Sequence, residues 1–454
     1  MFLSLLTLDI SFSRTLVVLL AIGVIASLDI AERMRHRNQH LLFGVILGTL
    51  LSVGLIKFAH VLLSPDIEQN PHIMALGVFL MFVAWRLLFG PWNASAKATV
   101  LGTFLFWVTL HLLATETDAE RTAHLLAVVV ALIPALVWSA LFLEYHRERI
   151  STVFMMFFAG MASTVPILFY DALQRHGVIL QFFFFRIVPE SFNETSQIFV
   201  NNQFPTISSF QTTLVIMLVS FLLVGLIEEG SKYWVLRRAG EQFFTSVDDV
   251  MQLAIIVAIG FAFAENVTNT GYFLNFVQEY LVAPAERDWL GFFGNVAGRA
   301  VLTSMVHIVS TGVSGYFLGL ATFATPFLEE AQAQGRSYHF VEYVHRLFGF
   351  QKKSVFQWQM LLSGLTFATV LHAGSNFMVT LPDALPGNPH TLGDVLGSSP
   401  GSPLHYISLL LFPCLFYVVG GFWLLTVLFH KKQNMKERGH LVMTDTFVRS
   451  EGEE

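Results

Sequence analysis

Apolar stretches long enough to cross a bilayer recur along this chain with almost no charge inside them, and that pattern leaves one class of fold. A hydrocarbon core of about 30 Å takes roughly 20 apolar residues of helix. Such stretches centre on residues 15–31, 41–63, 73–90, 98–115, 123–144, 151–171, 214–237, 252–272, 297–322, 358–381 and 404–429. At that depth no water is available to the backbone, so each segment must satisfy its own amides and carbonyls as a helix. The expectation is an all-α, polytopic integral membrane helix bundle of about 11 transmembrane helices. Those spans take roughly 220 positions, near half of the 454 residues, which leaves modest loops and no separate soluble domain.

Composition agrees. Only 13% of residues are Asp, Glu, Lys or Arg, against about 25% in a soluble domain. The apolar fraction is 54%, 45 residues are Phe, and mean hydropathy is +0.62. The lone cysteine, Cys414, excludes a disulfide framework and any multi-thiolate metal site. A net charge of -6 carries no basic surplus for nucleic acid.

Lys and Arg in the short loops set the orientation. Basic clusters stand at Arg33, Arg35 and Arg37, at Arg147 and Arg149, at Arg237 and Arg238, at Arg336, Arg346, Lys352 and Lys353, and at Lys431, Lys432, Lys436 and Arg438. The intervening loops, at 65–72, 114–121 and 381–403, are acidic or neutral. This alternation predicts an N-terminus outside and a C-terminus in the cytoplasm, with the bacterial cytoplasmic membrane as the expected location. The opening MFLSLLTLDISFSR lacks a basic n-region and a small-residue cleavage site, so it is expected to stay in the mature protein. The longest outer connection, about 172–211, carries GVILQFFFFRIVPESF, too short and interrupted for a span, and an Asn193 sequon that has no meaning in a bacterium. The expected organisation is an N-terminal module of about six spans over 1–210, a four-helix catalytic core over 211–382, and a final span with a cytoplasmic tail over 383–454.

Ionisable groups inside spans cost several kcal/mol by insertion scales, so each asks for a partner or a task. Lys57 and Arg86 fall near helix ends, where they can snorkel, and His111 is read as a packing residue. The later spans differ. The seventh reads LVGLIEEGSKYWVLRR, with Lys232 four residues after Glu228 and three after Glu229, so both carboxylates can reach the ammonium. The eighth carries Glu265 and Asn266, the ninth Arg299 and His307, and the tenth His372 and Asn376. His307 and Thr311 share a helix face, as do His372 and Asn376. Depth counting at 1.5 Å per residue allows Glu228, Glu265, His307 and His372 to meet near the midplane. The plain alternative is a polar network that knits four helices, helped by Gly312, Gly315 and Gly319. Interhelical hydrogen bonds average only about 0.6 kcal/mol, too little to account for three carboxylates and two imidazoles.

The set suits amide hydrolysis. A carboxylate beside a second carboxylate can act as a general base for water, imidazoles can position water or protonate a leaving group, and the Asn376 amide can meet an oxyanion. No Ser stands in a nucleophile-elbow context, and Cys414 has no His near it in sequence. A glutamate-activated water with no cofactor is the expected mechanism. A zinc-dependent variant would use Glu265, His307 and His372, although HExxH is absent. A proton-coupled transporter is the alternative from another class, weakened because the polar density lies in one half of the chain.

Glu228-Glu229-x-x-Lys232, Phe261-x-x-x-Glu265 followed by Asn266, His307 with its Gly-rich continuation, and His372-x-x-x-Asn376 together resemble the motifs of PrsW-type intramembrane proteases. These are similar to the CAAX-prenyl-protease and bacteriocin-processing superfamily, whose pattern begins with a double Glu and ends with His-x-x-x-Asn. The resemblance covers about 211–382. It implies a membrane-embedded peptidase acting on a membrane-anchored protein substrate, with the double Glu and the later His residues essential and anti-sigma-factor processing as one role. Glu265 stands where many superfamily members carry His, which is the PrsW form. The six preceding spans are additional to the motif core.

Overall fold

The computed structural model describes residues 39–62, 83–90, 92–115, 118–144, 148–167, 181–182, 185–186, 210–268, 296–385 and 387–437. Its longer helices are α1 (Gln39–Leu62), α2 (Ala94–Thr115), α3 (Asp118–Leu143), α4 (Ile150–Ala162), α5 (Phe210–Gly240), α6 (Val247–Thr268), α7 (Ser304–Thr322), α8 (Ala324–Ala333), α9 (His339–Phe348), α10 (Lys352–Ala384) and α11 (Gly421–Glu437). The only strands among the described residues are a two-residue hairpin, Gln181–Phe182 against Phe185–Arg186. Among the described residues, six helical segments are long and apolar enough to cross a membrane: Arg121–Leu143, Ile150–Ile167, Val247–Thr268, Val296–Thr322, Lys352–Pro382 and Leu411–Phe429. The expected span at 15–31, most of that at 73–90, the basic residues Arg33, Arg35 and Arg37, Asn193 and the tail from Arg438 lie outside the described residues.

Helix α6 is the centre of the bundle. Its sequence, VDDVMQLAIIVAIGFAFAENVT, is apolar all round, and nearly every residue is buried, as expected of a helix surrounded by others. Its start is fixed locally. Ser246 Oγ accepts the Asp249 amide at 3.1 Å, and the Asp249 carboxylate turns back to accept the Thr245 amide at 3.0 Å, while Asp248 and Asp249 place negative charge on the first turn. The largest helix contacts of α6 are with α7 and α4.

The α4–α6 crossing depends on two glycines. A Cβ at Gly160 would lie 2.2 Å from the Val257 carbonyl oxygen, and one at Gly260 would lie 2.1 Å from that of Phe157. Each glycine thus receives the backbone of the other helix, the small-residue approach that lets membrane helices pack without a hydrophobic drive. Ser231 Oγ adds a tie by donating to the Ser163 carbonyl at 2.8 Å, linking α5 to the end of α4. Although α4 was expected in the N-terminal module, it packs on the helices that carry the polar residues.

Helix α7 turns Gly315 and Gly319 towards α6 and Gly312 between α6 and α11, and packs on its other side against α10. It is preceded by a π-helical turn, Arg299–Thr303. Trp138 Nε1 of α3 donates to the Ala300 carbonyl at 2.8 Å, pairing a carbonyl within this irregular turn. A second π-helical stretch, Leu415–Gly420, leads into α11, and its Tyr417 hydroxyl donates to the Leu371 carbonyl beside His372. On the periphery the pattern reverses: Leu125, Val129, Ile133 and Leu136 of α3 are exposed, as a lipid-facing helix requires.

Two expected boundaries change. The last span was placed from 404, but Pro403–Tyr406 form a 3₁₀ turn and helix begins at Leu411. The reason is pairing elsewhere: the Leu392 amide donates to the Ile407 carbonyl at 2.8 Å, and that of Leu409 donates to His390 at 2.9 Å. The basic connection after the ninth span is also folded, into α8 and α9. Val341 of α9 is buried against Ala324, Val355 and Phe356, while Phe340, Tyr343 and Leu347 remain exposed.

Candidate active site

Four helices bring their polar residues to one buried place. From α5 come Glu228, Glu229 and Lys232, from α6 Glu265, from α7 His307 and Thr311, and from α10 His372. Glu228, Glu229, Lys232, His307, Thr311 and His372 are all at most 3% exposed. Helical spacing sets the first three, since i+3 and i+4 neighbours face one another. The remaining convergence is tertiary.

Glu229 is saturated. Its Oε1 accepts from Lys232 Nζ at 2.7 Å and from His372 Nδ1 at 2.8 Å, and its Oε2 accepts from Thr311 Oγ1 at 2.9 Å. Lys232 Nζ also donates to His307 Nδ1 at 2.9 Å and lies 3.9 Å from the centre of the Phe261 ring, a cation–π contact. An ammonium only donates, so His307 Nδ1 is the bare nitrogen and Nε2–H donates to Glu265 Oε2 at 2.8 Å. Arg299 adds an attractive charge to Glu265. The rings of His307 and His372 meet edge to face with centroids 4.9 Å apart.

Glu228 differs from its neighbour. Its Oε2 is buried with no hydrogen-bond partner among the described residues. It lies 3.6 Å from Lys232 Nζ and 3.3 Å from His372 Nε2. Because Nδ1–H of His372 is given to Glu229, Nε2 of the neutral ring presents a lone pair to the Glu228 oxygen. Two buried acceptors facing each other want a proton or a cation between them.

The donor set fits a metal ion. One ligand atom from each of Glu228, His307 and His372 lies within 4.8 Å of the other two. Tetrahedral zinc with bonds of 2.0–2.1 Å separates its ligand atoms by about 3.3 Å, which is the separation of Glu228 Oε2 and His372 Nε2. Glu229 and Glu265 hold the far N–H groups of His372 and His307, the arrangement that fixes metal-binding imidazoles. His307 Nδ1 accepts from the Lys232 ammonium, so it would join a metal only by exchanging that hydrogen bond. The metal set expected from sequence was Glu265, His307 and His372; the structure groups Glu228 with the two histidines and puts Glu265 behind His307.

Of the seven residues singled out by sequence, six join this cluster. Asn376 is half-buried one turn beyond His372 and takes no part in these hydrogen bonds among the described residues. Thr311 is a member that the site expectation did not include, although its i+4 spacing from His307 was the available signal. Phe261 is another, visible in sequence only as part of a motif.

The family model described as PrsW family intramembrane metalloprotease matches residues 148–396. Neither a curated protein nor a solved structure matches the chain.

Proposed function

The chain belongs to the PrsW family of intramembrane metalloproteases, and from that premise we propose that it is an endopeptidase that cuts a membrane-anchored protein within the bilayer, with Glu228 meeting the attacking water. The observation that carries this is the buried Glu228 Oε2, which has no hydrogen bond among the described residues where the other two glutamates are held.

A water seated against Glu228 gives its proton to that carboxylate as its oxygen attacks the scissile carbonyl. Oxygen-to-carbon bond formation pushes the carbonyl electrons onto oxygen, and collapse of the adduct expels the amine, which takes up the proton that Glu228 received. Glu229 holds the His372 ring in the tautomer that turns Nε2 to the site, and Glu265 does the same service for His307. Lys232 offsets the paired carboxylates, whose repulsion would otherwise oppose ionisation. The apolar walls of α6 and α7 exclude bulk water, so these charges act at low dielectric. His307 and His372 would hold the metal that the family description implies, with Glu228 beside it kept as the base, and the metal when bound would supply a Lewis acid and a water of lowered pKa. A single-span regulatory protein of the anti-sigma type is the substrate class of this reading.

The test is cleavage of single-span substrates by the purified full-length protein, before and after strong chelation and zinc add-back, with metal analysis alongside. Chelation should abolish cleavage, zinc should restore it, and His372→Ala should lose the bound zinc. Full activity in metal-free protein would return the mechanism to glutamate and free water.

A further inference from the structure

A cavity of about 630 Å³ lies away from the carboxylate–imidazole cluster, at the end of the bundle where the start of α2, the end of α5 and the end of α7 meet. At 1.5 Å per residue, the seven residues from Lys232 to Ala239 put its floor about 10 Å along α5 from the cluster. Lys97 and Arg238 line it. Lys97 is 2% exposed, a rare state for a lysine. Its ammonium donates to the Ala239 carbonyl at 3.2 Å, capping the last turn of α5. That bond uses one of its three donors. Among the described residues no carboxylate comes within 4 Å of Lys97 or Arg238.

Two cations, one of them buried and neither with a carboxylate within 4 Å among the described residues, face a cavity wide enough for a ligand. Helix capping alone explains Lys97 in part, since a cation suits a helix C-terminus. It does not explain the second cation or the cavity. Phe244 and Phe323 supply apolar wall, while Gln242 and Thr245 supply polar groups beside it. Glu241 stands on the exposed rim and disfavours a highly charged anion. By the distribution of basic loops this end faces the cytoplasm, where anionic lipid headgroups concentrate.

We propose that this cavity binds a singly charged phosphate ester, the headgroup phosphate of an inner-leaflet phospholipid, between Lys97 and Arg238. The aromatic wall would take the glycerol and the first acyl carbons. The proposal is independent of the peptidase reading, because binding is measured without cleavage.

The full-length protein in a neutral detergent is titrated with short-chain phosphatidylglycerol and, separately, with inorganic phosphate, following thermal unfolding. Phosphatidylglycerol should raise Tm saturably. Arg238→Gln, at an exposed position, and Lys97→Met should each move the saturation midpoint up by about tenfold or more, the loss of a charge-assisted hydrogen bond. If inorganic phosphate saturates at similar concentration and competes with the lipid, the site stands and its ligand is the free anion. If neither anion gives a saturable shift, or Arg238→Gln matches wild type, the proposal fails. Arg238→Gln decides the matter even if Lys97→Met does not fold.

Discussion

Changing Glu228 and Glu229 to glutamine one at a time should separate chemistry from architecture in two adjacent residues of the same helix. Glu229 accepts three hydrogen bonds, from Lys232, His372 and Thr311. Glutamine there turns an amide N–H₂ or a weaker carbonyl towards those donors and leaves Glu228, 3.6 Å away, as the one carboxylate among the described residues to offset the buried Lys232 charge. Breaking one side of a buried ion pair costs about 3–5 kcal/mol, and the His372 ring loses its anchor as well. Glu229→Gln should therefore lose both stability and activity. Glu228 Oε2 gives up no hydrogen bond, and exchanging a poorly compensated buried carboxylate for a neutral amide should change stability by less than about 1 kcal/mol. Its activity should fall by about 10²- to 10⁴-fold, the usual contribution of a general base. Both variants are measured by reversible unfolding in mixed micelles and by single-span substrate cleavage. Near-normal cleavage by Glu228→Gln, or equal destabilisation by the two variants, would refute the division of roles.

Two further outcomes follow from packing and charge. Gly260→Ala should lower stability by about 1–3 kcal/mol or more and reduce cleavage, because a Cβ 2.1 Å from the Phe157 oxygen forces α6, which carries Glu265, away from α4; an unchanged Tm would deny the close crossing. A reporter fused after residue 438 should read cytoplasmic and one inserted near 390 should read outside, as the alternation of basic loops requires; the opposite pair of readings would invert the bundle and move the Lys97 cavity to the outer face.

Local sequence carried the part of this protein that depends on neighbours within one helix. The apolar runs define membrane helices because a backbone in lipid has no other partner, and Glu228, Glu229 and Lys232 meet because a helix places i+3 and i+4 side chains together. The depth count allowed His307, His372 and Glu265 to converge, and four motifs on successive spans suggested that they do. Sequence could not say which carboxylate faces which imidazole. Rotation of α6 and α10 about their axes decides that, and it is set by contacts with no local signature: the Gly160–Gly260 crossing, the Trp138 bond into the π-helical turn before α7, and the Tyr417 bond beside His372. The same tertiary choice leaves Glu229 with three donors and Glu228 Oε2 with none among the described residues. Helix α9 was legible in principle, since Val341 and Val344 repeat at helical spacing, but its basic flanks read as a loop. Lys97 gave no signal because its burial comes from the end of α5, 142 residues away in the chain. Spacing within a helix is a property of sequence; the phase of one helix against another is a property of packing, and here that phase selects which carboxylate the neighbouring donors hold.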